Sequence, residues 1–240
     1  MFFLFGLNVY IAILVILAIG PAIALMVYVY RHDRLEPESL KLLITLAILG
    51  VVATFFASLT EALGLGILGT HYGDEPDTLG RILLYFVVVG LSEEGIKYLL
   101  MRWRTWKNPE FNCSYDGVVY AVCVSLGFAV AENIQYILRF GISTAFIRAV
   151  TAIPGHACFG VFMGIWYGMA KRYEHAGLFN RSAVCRKMAV IVPMILHGIY
   201  DFIAVTAGDY GVLIFGAFII FLFAIALIKT RRTARNDQYI

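Results

Sequence analysis

Residues 79–101 read LGRILLYFVVVGLSEEGIKYLLM. The stretch is long enough to be a membrane span, since about 20 apolar residues cross the hydrocarbon core as a helix. Its inner half nevertheless carries Glu93, Glu94 and Lys97. At ~1.5 Å per residue, Glu93 lies roughly 20 Å down such a helix. A charge at that depth costs about 2.5–3.5 kcal/mol on insertion scales, so a chain that keeps three of them is expected to use them.

Working outward, six more apolar segments qualify as spans: 5–30, 40–64, 117–138, 143–170, 186–206 and 210–229. The 240 residues are 61% hydrophobic, whereas a soluble domain is nearer about half apolar. The expectation is an all-α, polytopic helical membrane protein of about seven transmembrane helices, forming one domain over 1–240 with its core motifs in 90–205. No internal repeat is visible. Met1 is followed by Phe2, Phe3 and Leu4 without a basic region, and the apolar run continues to Tyr30, so the first segment reads as a retained span and not a cleaved signal. Pro21 and Pro154 fall inside spans and are expected to kink them.

Charge sets the orientation. Arg31, Arg34 and Lys41 follow the first span, Arg102, Arg104 and Lys107 the third, and Lys171, Arg172, Arg181, Arg186 and Lys187 the fifth. Lys229, Arg231, Arg232 and Arg235 follow the last, while the alternate loops hold Asp74, Glu75, Asp77 and Asp209. The positive-inside rule then places the N-terminus out and the C-terminus in, with Trp103, Trp106 and Trp166 towards the cytoplasmic interface. The net charge of +3 sits at helix ends, which orients a membrane protein and argues against nucleic acid as a partner. Cys113, Cys123, Cys158 and Cys185 have no metal-knuckle spacing; Cys123 and Cys158 lie in apolar segments, Cys113 and Cys185 are expected in cytoplasmic loops, and disulfides are not expected. The charged run from Arg31 to Glu38 reads as a solvated turn.

Four spans supply residues able to do chemistry. Lys97 is four residues after Glu93 and three after Glu94, within helical reach of both. It can hold one carboxylate ionised and leave the other as a general base for water. Span 4 adds Glu132 and Asn133, and span 5 adds His156. In span 6, His197 and Asp201 share a helix face, so the carboxylate can orient the imidazole. Arg139, Arg148 and Glu61 near span ends are expected to snorkel. The chain has no HExxH helix, no GxSG around a serine, and only Asp201 as a clearly buried aspartate, which sets aside the usual zinc, serine and aspartyl intramembrane mechanisms. From these residues alone, a hydrolase, a proton-coupled transporter and a scaffold locked by polar contacts all remain open.

The set Glu93-Glu94-x-x-Lys97, Phe128-x-x-x-Glu132-Asn133, Pro154-Gly155-His156 and His197-Gly198-x-x-Asp201, preceded by Asp33-Arg34-x-Glu36-Pro37-Glu38, resembles the PrsW family of intramembrane proteases. That family lies within a wider group that includes the CAAX-processing and bacteriocin-immunity membrane proteases. The resemblance covers about residues 28–206. It implies an inner (plasma) membrane, multi-pass endopeptidase that cuts a single-pass membrane protein, such as an anti-sigma factor, at its first site. By position, Glu93 would activate water and Glu94 would assist or pair with Lys97. His156 and His197 would hold the water and the oxyanion, Asp201 would orient His197, and Glu132 and Asn133 would complete the cluster. No cofactor is expected; the metal-dependent alternative is zinc on Glu93, His156 and His197.

Overall fold

The computed structural model describes residues 2–72, 77–206 and 208–240, with side chains from residue 16 onward apart from that of Asp209. Asp74 and Glu75 lie outside the described residues, as does the side chain of Asp209. The described chain is helical: α1 Phe2–Tyr30, α2 Leu40–Tyr72, α3 Thr78–Ile82, a π-helix Leu83–Leu91, α4 Ser92–Thr105, α5 Asp116–Phe140, α6 Ile142–Val150, α7 Ala152–His175, α8 Phe179–Thr206 and α9 Gly211–Arg235.

Five helical stretches are long and apolar enough to cross a membrane: Leu40–Tyr72, Asp116–Phe140, Ile142–His175, Phe179–Thr206 and Gly211–Arg235. Their outward residues fit that reading. On α2, Ile44, Ile48, Phe55, Leu59, Leu63 and Ile67 are all exposed, and on α9 so are Val212, Leu213, Ile220 and Phe221. Apolar surface of this extent is what lipid covers.

At the centre is α5, buried from Asp116 through Ala129 without a polar face, as an all-round apolar helix should be. It is flanked by α2 and α7, and small residues set both distances. A Cβ on Gly127 would stand 2.9 Å from Ala47 Cα of α2, and one on Gly164 would stand 2.7 Å from Val118 N. Glycine is therefore required for these backbones to approach, as at close helix crossings in membranes.

Two local departures from a plain bundle position the site. The third span expected from the sequence is one column, α3 through the π-helix into α4, and its widened turn ends immediately before Ser92-Glu93-Glu94. Such turns are rare and gather at functional sites. The fifth expected span, 143–170, is broken: Thr151 (φ −119°, ψ −64°) separates α6 from α7. Pro154 stands in the first turn of α7, where its missing N–H costs little, so the proline starts a helix and does not kink one. Pro21, by contrast, lies within the continuous α1.

Three other expectations are corrected. Trp106 does not face outward as a residue of an aromatic belt would: its indole is buried, donates to Glu174 Oε1 at 3.1 Å, and packs against Phe111 and Tyr167. Cys185 is not in a loop but on α8, and it and Cys113 are buried like Cys123 and Cys158. The run from Arg31 to Glu38 is not simply a solvated turn, because Asp33 and Glu38 are buried in it. Nearby, residues 237–240 fold back onto the α4–α5 loop. Ser114 N donates to Gln238 O (3.2 Å), Ile240 N to Asn112 O (2.7 Å), and Tyr115 N to Asp237 Oδ1 (2.8 Å).

Candidate active site

The polar residues of α4, α5, α6, α7 and α8 join into one hydrogen-bonded chain. At its middle is the fully buried Lys97. An ammonium has three N–H donors, and each has a partner here: Glu93 Oε2 at 3.2 Å, Glu94 Oε1 at 2.7 Å and His156 Nδ1 at 3.2 Å. The Phe128 ring lies 4.0 Å away and offers its face to the same cation.

Because Nδ1 of His156 accepts from Lys97, its Nε2 carries the proton and donates to Glu132 Oε2 at 2.9 Å. Glu132 is held from the other side by Arg148 Nη2 at 2.8 Å, and Arg148 Nε donates to Asn133 Oδ1 at 2.7 Å. Both imidazole nitrogens of His156 are thus engaged.

His197 completes the other arm. Its Nδ1 donates to Glu94 Oε1 at 3.0 Å and stands 3.7 Å from Glu93 Oε2. Its Nε2 is 3.5 Å from Asp201 Oδ2, a looser contact one helical turn along α8. The Phe159 ring stacks on this imidazole at 4.8 Å, and the two histidine rings are 5.3 Å apart, edge to face. Sequence spacing anticipates Asp201 beside His197; the shorter bond to Glu94 is a tertiary contact.

A cavity of about 1030 Å³ reaches this cluster from the end of the bundle that holds the α5–α6 and α8–α9 turns. Glu93, Glu132, His156, His197 and Asp201 all line it, whereas Glu94 and Lys97 stand behind the wall. The paired glutamates are therefore unequal: one faces the cavity and the other faces the protein.

Three residues read as snorkelling groups are here instead. Arg148 is the partner of Glu132, and Glu61 lines the cavity, as does Arg139. An arginine and a glutamate interrupting separate apolar runs are each other's natural partners, and that anomaly was the available signal. Nothing in the spacing of Glu61 distinguishes it from an interfacial acid.

The donor set is also one a metal could use. Glu93, Glu94, His156 and His197 each offer one ligand atom, all four within 4.8 Å of one another, and Glu94 Oε2 is buried without a hydrogen-bond partner. Carboxylate and imidazole suit zinc, so the residues fit it. Any such ion would displace the Lys97 ammonium from at least some of its three contacts.

The profile of the PrsW family intramembrane metalloproteases matches residues 38–228. The chain belongs to the PrsW family. It is 35% identical over 220 residues to Protease PrsW of Oceanobacillus iheyensis, covering 91% of this chain and 94% of that one. It is 32% identical over 219 residues to Protease PrsW of Bacillus subtilis (89% and 92% covered), and 31% identical over 231 residues to that of Clostridioides difficile (95% and 94%). No solved structure matches the chain. Membership makes this helical membrane protein one of the PrsW intramembrane proteases.

Proposed function

We propose that this PrsW-family protein is an endopeptidase that hydrolyses a peptide bond of a membrane-protein substrate with water activated by Glu93. The observation that carries this reading is the division of the paired glutamates: Glu93 lines the cavity, and Glu94 is sealed between Lys97 and His197. Glu93 removes a proton from water as the oxygen attacks the scissile carbonyl carbon. The oxyanion that forms accepts a hydrogen bond from Nε2–H of His197 as the imidazolium, whose Nδ1–H stays on Glu94, and Glu93 then returns its proton to the departing amine. General-base action of this kind contributes about 10²–10⁴-fold, and a preorganised donor at the oxyanion about 10²–10³-fold.

The other residues position these two. Glu94 and Asp201 flank the two nitrogens of His197, Lys97 braces both glutamates, and His156 transmits the Arg148–Glu132 pair to Lys97. The substrate is a single-pass protein of the inner (plasma) membrane, of the anti-sigma-factor kind, cut at a first site. Charge distribution with the N-terminus out and the C-terminus in turns the cavity mouth away from the cytoplasm, which suits such a cut.

A second reading rests on the four-donor cluster. Zinc held by Glu93, His156 and His197 would supply a Lewis acid that makes bound water acidic near neutral pH. Glu94 would remain on Lys97, and Asp201 would still orient His197. Purified protein incubated with a co-reconstituted single-pass substrate, with and without chelator and beside a metal analysis, separates the two. The metal-free reading expects cleavage that survives chelation and disappears in Glu93→Gln and His197→Ala. Cleavage undiminished in both variants overturns the assignment, and chelator-sensitive cleavage with stoichiometric zinc replaces it by the second reading.

A further inference from the structure

At the opposite end of the bundle from the cavity mouth, the loop after α1 meets the start of α5. Asp33, Glu38 and Asp116 are all buried there, and each offers a carboxylate oxygen within 4.8 Å of the others. Among the described residues, no lysine or arginine forms an ion pair with any of the three. Three acids crowded together without a cation among their partners are costly, since buried charges are ordinarily paired or coordinated.

The hydrogen bonding is as incomplete as the charge. Asp116 Oδ2 accepts from the backbone N–H groups of Asn112 (3.0 Å) and Cys113 (2.6 Å), which fixes the carboxylate and leaves Oδ1 without a partner. Both oxygens of Asp33 and Oε2 of Glu38 also lack one; the N–H groups of Leu35 and Glu36 lie towards Asp33 without closing a bond of normal geometry. Independently, the hydroxyl of Tyr120, whose side chain is fully buried on α5, is turned to Glu38 and has no hydrogen-bond partner either. The surrounding acids are otherwise occupied: Glu36 accepts from Asn112 Nδ2 at 3.0 Å, Glu110 from Ser39 N at 3.1 Å, and Asp237 from Tyr115 N at 2.8 Å.

We propose that Asp33, Glu38 and Asp116 form a binding site for one hard divalent cation, magnesium or calcium, that ties the α1–α2 loop to the first turn of α5. The donors are all carboxylate oxygens, the ligand type these ions prefer, and water completes their coordination. The role is structural and separate from the Glu93 cluster, so it does not depend on the proposed reaction. A bound ion stabilises the folded chain by mass action, in proportion to the logarithm of its concentration above the Kd.

The test uses the full chain purified in detergent and freed of divalent ions. Magnesium chloride and calcium chloride are titrated separately by calorimetry and by thermal unfolding. At least one ion should bind at a single saturable site and raise the Tm. Glu38→Gln and Asp33→Asn should each weaken binding at least tenfold, and Glu93→Gln should leave it unchanged. Absence of saturable binding by either ion overturns the proposal, as does binding that Glu93→Gln abolishes and Glu38→Gln spares. Terbium(III) gives a readout that leaves the carboxylates intact. Its tyrosine-sensitised emission should fall in Tyr120→Phe, and emission that is undiminished there counts against the site.

Discussion

Glu94 on α4 holds His197 on α8 through a 3.0 Å hydrogen bond between residues 103 positions apart, and the same carboxylate oxygen accepts from Lys97 at 2.7 Å. Its neighbour Glu93 is instead on the cavity wall. The adjacent glutamates should therefore fail in different ways. Glu93→Gln should lower cleavage by about 10²–10⁴-fold, the range for loss of a general base, with a smaller loss of Tm than Glu94→Gln, since Lys97 stands 3.2 Å from Glu93 and 2.7 Å from Glu94. Glu94→Gln should also lower the Tm, because removing one partner of a buried pair costs about 3–5 kcal/mol. Thermal unfolding in detergent beside single-turnover cleavage checks both; equal stability losses in the two variants would refute the division of roles.

Arg148 lies outside the expected reacting groups, yet it is the outer clamp of Glu132, which in turn fixes His156. Arg148→Met should leave Glu132 held by His156 alone. An ion-paired acid left short of a donor in a partly buried site costs about 1–3 kcal/mol. Cleavage should fall with it, and Arg148→Lys should recover only part of the loss, since one ammonium cannot reproduce the guanidinium fork that reaches both Glu132 and Asn133. Cleavage by Arg148→Met at the parent rate would remove this residue from the positioning network.

Helix spacing gives a prediction independent of catalysis. Gly127→Ala would drive a methyl group into the Ala47 backbone of α2, and overpacking of this kind costs about 1–3 kcal/mol. Gly216→Ala on α9 meets nothing within 4 Å and should be neutral or slightly stabilising, as alanine is the better helix former. Thermal unfolding of the two variants in one detergent is the measurement. A Tm for Gly127→Ala at or above that of Gly216→Ala would contradict the close α2–α5 contact.

What could be read from the sequence was whatever repeats at helical spacing. Lys97 beneath Glu93 and Glu94, and Asp201 beneath His197, are contacts within single helices, and the structure contains both. The apolar runs likewise mark the spans, since hydropathy needs no partner to be visible. What was hidden depends on neighbours. Lys97 donating to His156, and Arg148 gripping Glu132, join residues 59 and 16 positions apart on different helices. The π-helical turn before Ser92 and the break at Thr151 are backbone responses to packing, and the apolar letters around them read as uninterrupted helix. Asp33 and Glu38 were misread because a charged loop is ordinarily solvated; only the fold brings Asp116 and Tyr120 over them.

The fold-back of residues 237–240 predicts the chemistry of Cys113. Its side chain is fully buried, and an isolated antiparallel bridge pairs it with Tyr239. Burial first, and then the negative charges of Asp116 and Asp237, push the thiol up to about 12. Only the thiolate reacts appreciably with maleimides or iodoacetamide. At pH 8 the intact protein in detergent should therefore resist labelling at Cys113. Truncation before Asp237 removes one of the raising charges together with the covering segment, so the labelling rate at Cys113 should rise by at least tenfold. Mass spectrometry of tryptic peptides after timed labelling reads the site directly. Rapid modification of Cys113 in the intact chain would show that residues 237–240 do not close over the α4–α5 loop in solution.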